Sequence, residues 1–153
     1  MSSCLTTETP VGLIGIYGQT SITKIGWAQR QSNSELPELR KAKEQIAAYF
    51  NGTLLQFDLQ LEPSGSIFQQ KVWAHICRVP YGQTLTYGDV AISLETSPRA
   101  VGRACASNPI PLLIPCHRII AQTGALTGYS GRGGLKTKQL LLTLEQKVFS
   151  CAT

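Results

Sequence analysis

Two apolar runs near the start of the chain, "VGLIGIYG" (11–18) and "SITKIGWA" (21–28), are short and rich in β-branched and aromatic residues. Polar and glycine positions separate them, which predicts a β-hairpin. The period then changes. In "LPELRKAKEQIAAYFNG", Leu39, Ile46, Tyr49 and Phe50 fall on one helical face. Pro37 suits the first turn, and Asn51-Gly52 supplies the stop. "LLQFDLQL" (54–61) alternates, with Leu55, Phe57, Leu59 and Leu61 on one side, and predicts a half-buried strand. Pro63-Ser64-Gly65 reads as a boundary.

Beyond it the pattern is helical. Ser66 and Gln69 have capping-box spacing, and Phe68, Val72, Trp73, Ile76 and Val79 mark one face before Pro80-Tyr81-Gly82 ends it. Two short helices follow. The first runs from about Thr86 to Leu94, with Thr86 and Asp89 at capping spacing. The second opens at Ser97-Pro98 and runs through "RAVGRACAS" to Asn108-Pro109. The short turn between them makes the pair a helix-turn-helix candidate. A last helix, about Lys136 to Val148, places Leu140, Leu141, Leu144 and Val148 on one face. The expected fold class is therefore α+β, with an N-terminal sheet-plus-helix domain over 1–63 and a mostly helical domain over 66–153.

Length and composition fit this outline. A chain of 153 residues, 42% hydrophobic and 15% charged, can bury a core in one compact domain or two small lobes. Its apolar runs are too short to span a bilayer, and no secretory leader is legible, so no membrane partner is expected. The five cysteines (Cys4, Cys77, Cys105, Cys116, Cys151) form no CxxC pair and suggest reduced thiols in a cytoplasmic compartment, or a nuclear one in a eukaryote. Charge is uneven. Residues 1–63 carry a net −1 and residues 64–153 a net +6, so the C-terminal part suits either a polyanion or simply a basic surface.

Three segments could carry chemistry. In "SPRAVGRACASNP", Arg99 and Arg103 lie four apart and share a helical face. Their neighbours Ala100 and Gly102 are small enough to let the helix approach a DNA groove, or to let it pack against another helix. In "PIPLLIPCHRII" (109–120), Cys116 is either a small buried hydrophobe or a nucleophile activated by an imidazole. Residues 116 and 117 would point to opposite faces of a strand, so Cys116 and His117 couple only across a turn or through water. Arg118 suits a structural ion pair. Glu145 borders the apolar face of the last helix, either as a surface acid or as the carboxylate that orients a histidine. With two histidines and scattered cysteines, no metal site is expected, and the Gly-rich "TGALTGYSGRGGLK" lacks the phosphate-loop order, so no cofactor is expected either.

"IPCHRII", preceded by "SNPIPLL" and followed by "TGYSG", resembles the active-site signature of the O6-alkylguanine-DNA alkyltransferases. "FQQKVWAHICRVPYGQTLTYGDVA" and "SPRAVGRACASNP" match the same family in the same order, over about residues 66–146. The resemblance implies a ribonuclease H-like N-terminal domain. It also implies a single-turnover DNA-repair methyltransferase that flips O6-alkylguanine out of double-stranded DNA from the minor groove and takes the alkyl group onto Cys116. His117 would deprotonate Cys116 through water, Glu145 would orient His117, and Asn108 would brace the site. Tyr87 would contact the flipped base and help neutralise it. Arg99 would enter the base stack, with Arg103, Ala100 and Gly102 on the same DNA-binding helix. Tyr129 and Ser130 would wall the base pocket, and the backbone carbonyls of Cys116 and Ile119 would accept from the exocyclic amine. A monomer is expected. Three rivals are a non-catalytic alkylguanine-binding module, which would lack the acceptor cysteine, a turnover Cys-His hydrolase, and a thiol-based DNA-binding regulator.

Overall fold

In a computed structural model, which describes residues 3–124 and 134–152, the hairpin forms as read but gains a third strand. β1 (Ser3–Thr9), β2 (Gly12–Gly18) and β3 (Ile22–Trp27) make an antiparallel sheet in chain order, with Leu5 opposite Ile16 and Ile16 opposite Ile25. β1 is threonine-rich and lacks an apolar stripe, so hydrophobic patterning does not find it. Its β-branched side chains suit an extended backbone, and their hydroxyls satisfy nearby backbone: Thr9 Oγ1 donates to Gly12 C=O and accepts from Val11 N–H. Gly18 ends β2 at φ 155, where a Cβ would lie 2.0 Å from Ser21 C=O, so only glycine fits that turn.

α1 (Pro37–Phe50) packs on this sheet through Leu39, Ala42, Ile46 and Tyr49. The strand expected at 54–61 does not form, although the alternation behind the expectation is real. Phe57, Leu59 and Leu61 pack against the core while Leu55 stays exposed. The segment joins the sheet only through a bridge between Ile22 and Leu61. Its backbone is satisfied by side chains of α1 instead: Asp58 N–H donates to Gln45 Oε1 and Gln60 N–H to Glu38 Oε2.

The helical half follows its caps. α2 (Ile67–Ile76) and α3 (Tyr87–Ser93) each begin in a complete capping box, Ser66/Gln69 and Thr86/Asp89. α4 (Pro98–Ala106) starts at Ser97, whose hydroxyl accepts from Ala100 N–H. Trp73 on α2 donates its indole N–H to Ala104 C=O, fixing α4 against α2. β4 (Leu85–Thr86) and β5 (Ile119–Ile120) form a short parallel pair, and Cys116–Arg118 is one turn of 3-10 helix just before β5. α5 (Leu135–Ala152) closes the chain. Its inner face differs from the expected one. Leu141 is buried and Leu144 and Val148 pack on the core, but Leu140 is exposed, and Lys138 and Glu145 take the interior positions. Apolar periodicity is blind to that substitution, because the interior here is polar and ion-paired. Among the described residues, no helix is long and apolar enough to cross a membrane.

Candidate active site

The site is built around the 3-10 turn. Pro115 directs the chain into it, and Cys116, His117 and Arg118 are all buried. Upstream, Leu112 adopts φ 77, a left-handed conformation that costs a branched side chain about 1–3 kcal/mol. Asn108 holds that bend. Its Oδ1 accepts from Ile110 N–H at 2.9 Å, and its Nδ2 donates to Ile114 C=O at 3.0 Å and to Cys116 Sγ at 3.2 Å. A single side chain thus shapes the loop and touches the thiol.

Burial drives the Cys116 thiol well above its ordinary range, and its contact with Cys105 adds to this. The Asn108 hydrogen bond and the charge of Lys138 oppose the rise. The thiol therefore needs outside help to ionise.

Glu145 organises the rest. Its carboxylate accepts from His117 Nε2 at 2.6 Å, Arg118 Nε at 2.9 Å, Arg118 Nη2 at 3.1 Å, Tyr49 Oη at 2.6 Å and Gly82 N–H at 3.2 Å. Burial disfavours its charge, but the hydrogen bonds and charges of His117 and Arg118 outweigh that and hold the carboxyl at about 2. Burial pushes His117 below its usual range against the pull of Glu145, so the imidazole is neutral at pH 7. An ionised Glu145 can only accept, so the His117 proton sits on Nε2 and Nδ1 carries a free lone pair. Among the described residues, that buried Nδ1 has no hydrogen-bond partner. Among the described residues, His117 Nδ1 and Cys116 Sγ thus share no hydrogen bond.

Arg118 also donates to Val79 C=O at 2.7 Å and lies over the Tyr81 ring, so its structural reading holds. Tyr87, at the start of α3, receives Lys138 Nζ on its hydroxyl at 3.3 Å. Ile119 is buried in β5. On α4, Arg99 and Arg103 are exposed, Ala100 and Gly102 half-exposed, and Val101, Ala104 and Cys105 turn inward. A Cβ on Gly102 would meet nothing closer than Tyr87 Cε1 at 4.0 Å, so packing within the protein does not require glycine there. Tyr129 and Ser130 lie outside the described residues. Sequence reasoning missed Tyr49, Lys138 and Cys105. The apolar pattern places Tyr49 only on the inner face of a helix, counts Cys105 only as one of five cysteines, and gives Lys138 no role.

Residues 67–147 match the family model described as 6-O-methylguanine DNA methyltransferase, DNA binding domain. The chain is 40% identical over 150 residues to a methylated-DNA--protein-cysteine methyltransferase of Methanosarcina barkeri, covering 91% of this chain and 94% of the relative. The chain belongs to the methylated-DNA--protein-cysteine methyltransferase family. Among solved members, the crystal structure of the Mycobacterium tuberculosis O6-methylguanine methyltransferase superposes with a TM-score of 0.86 at 34% identity, over 96% of this chain and 94% of that one. The M. tuberculosis OGT protein in complex with DNA gives 0.85 at 36%, over 95% and 93%. These methyltransferases share with the present chain a mixed α/β architecture, a small antiparallel sheet followed by helices.

Proposed function

We propose that this chain repairs O6-alkylguanine in double-stranded DNA by transferring the alkyl group irreversibly to Cys116. DNA repair, DNA binding and methyl transfer to a protein cysteine follow from family membership. The observation that carries the residue assignment is the buried pair of Glu145 and neutral His117 beside a thiol already held by Asn108. His117 Nδ1 takes the Cys116 proton through one bridging water, since no hydrogen bond joins the two groups directly. The thiolate attacks the alkyl carbon, a C–S bond forms, and the carbon–oxygen bond breaks with its electrons going to the base. Tyr87 Oη supplies a proton to the departing guanine, and Lys138, bonded to that hydroxyl, favours the donation. The thioether product is not cleaved by water, so each molecule acts once.

The damaged base leaves the stack to reach a buried sulfur. We assign α3 and α4 as a helix-turn-helix that enters the minor groove, with Arg103 on its exposed face and Arg99 filling the emptied position. Ala100 and the open space at Gly102 let the backbone approach the groove. The Cys116 and Ile119 carbonyls, with Tyr129 and Ser130, receive the base. Residues 1–63 form a ribonuclease H-like domain and 66–153 the reactive one, acting as a cytoplasmic (or, in a eukaryote, nuclear) monomer without metal or cofactor. The test is to mix the protein with an oligonucleotide containing O6-methylguanine and take an intact mass. One methyl on the Cys116 peptide, without further turnover, supports the assignment; an unchanged mass refutes it.

A further inference from the structure

We propose that Tyr49 is a positioning residue for the transfer reaction: its phenol, carried in from the N-terminal half, holds the Glu145 carboxylate in register with His117 and keeps the imidazole a neutral base. Tyr49 acts through the proposed His117–Glu145 pair, so its role rests on that reading. It lies buried on the inner face of α1, and its hydroxyl donates to Glu145 Oε2 at 2.6 Å across 96 residues of chain. His117 Nε2 donates to that same oxygen at 2.6 Å. Arg118 grips both oxygens through Nε and Nη2, and Gly82 N–H donates to Oε1. Among the described residues, Tyr49 is thus the one donor to Glu145 that comes from residues 1–63. Its ring is wedged in place. Phe57 stacks on it with centroids 5.4 Å apart, and Phe50 and Tyr81 meet it edge-on at 5.2 and 5.9 Å.

The terminal torsion of a glutamate is soft, so its carboxylate keeps one orientation only where its donors fix it. The Arg118 fork sets the plane of the Glu145 carboxylate. Tyr49 then sets how much charge Oε2 offers to His117. A hydrogen bond donated to a carboxylate oxygen draws charge from it, so an imidazole sharing that oxygen is less strongly held as a cation. Burial and the adjacent Glu145 charge keep the phenol protonated far above neutral pH, so it always donates. Of the other groups around His117, Lys138 on α5 and Arg118 beside it disfavour the cation, Glu145 favours it, and the buried Cys116 thiol is uncharged. Tyr81, after α2, feels Glu145 and Arg118 and also stays protonated. Removing the Tyr49 hydroxyl takes one donor from Oε2 and leaves both carboxylate oxygens hydrogen-bonded.

The full-length protein with isotope-labelled histidine is titrated by NMR, and methyl transfer from an O6-methylguanine oligonucleotide is timed over the same pH range. The chain has two histidines, so half-buried His75 on α2 is the internal reference. In Tyr49→Phe the Oε2 charge is released. The His117 Nε2–H resonance then moves downfield at pH 7, and the His117 midpoint rises by about 0.5–1. The acid limb of methyl transfer rises with it, because a protonated His117 cannot take the thiol proton. A ring-fluorinated tyrosine at position 49, a stronger donor, moves both readouts the opposite way. Tyr81→Phe removes a neighbouring hydroxyl that has no hydrogen-bond partner among the described residues, and leaves His117 as in wild type. An unmoved His117 in Tyr49→Phe, or an equal movement in Tyr81→Phe, overturns the proposal. Should Tyr49→Phe fail to fold, the fluorinated protein decides, and an unmoved His117 there overturns it. Should His117 stay neutral to the acid edge of the folded range, the Nε2–H resonance decides. A wild type that accepts no methyl group refutes the acceptor role of Cys116, while the His117 resonance still tests Tyr49.

Discussion

Asn108→Ala separates the two tasks that one side chain performs. The substitution strands Ile110 N–H and Ile114 C=O inside a loop whose Leu112 is already held at φ 77. Each orphaned buried group costs about 1–3 kcal/mol, and relaxation of the loop recovers part of it, so a loss of about 2–4 kcal/mol is expected in urea unfolding at pH 7. The third bond, to Cys116 Sγ, favours the thiolate. A hydrogen bond to a charged acceptor contributes about 1.5–3 kcal/mol, which moves the pH midpoint of Cys116 alkylation upward by about one to two. The assay is the rate of Cys116 modification by iodoacetamide against pH, followed by peptide mass under conditions where both proteins are folded. Stability within about 0.5 kcal/mol of wild type would refute the bracing argument. An unmoved midpoint would refute the thiolate argument even if the protein were destabilised.

The acid limb of stability reports on Glu145. Its folded pKa of about 2 lies below the unfolded value, so its contribution is complete above about 4.5 and fades as pH falls toward 2. That is worth on the order of 3 kcal/mol in urea unfolding at stepped pH, and a flat profile across this window would contradict it. Glu145→Gln at pH 7 leaves Arg118 buried without its anion and should cost about 3–5 kcal/mol by the same measurement. Lys138→Met removes the charge that favours both pocket thiolates and should raise the pH midpoint of Cys116 alkylation, whereas Lys136→Met, on the first turn of α5, serves as the control. Arg99→Ala should slow methyl transfer from duplex DNA far more than transfer from the free alkylated base; equal losses on the two substrates would remove its role in the base stack.

Features set by near neighbours along the chain are legible without a fold. The capping boxes at Ser66 and Thr86, proline at the start of α1 and α4, and the hairpin of β2 and β3 are decided within a few residues by hydrogen bonds and backbone geometry, and all appear where the pattern places them. "PIPLLIPCHRII" likewise marks the candidate site, where Cys116, His117 and Arg118 share one buried turn. Tertiary structure decided what depends on long-range partners. The alternating segment 54–61 has strand periodicity, but side chains of α1 take its Asp58 and Gln60 N–H groups and leave the sheet only the bridge at Ile22 and Leu61. Lys138 and Glu145 sit on the inner face of α5 only because Tyr87, His117, Arg118 and Tyr49 meet them there. Tyr49 is 96 residues from Glu145 along the chain. Hydrophobic periodicity treats a charged position as exterior, so a buried ionic network stays hidden until the fold brings its counter-charges together.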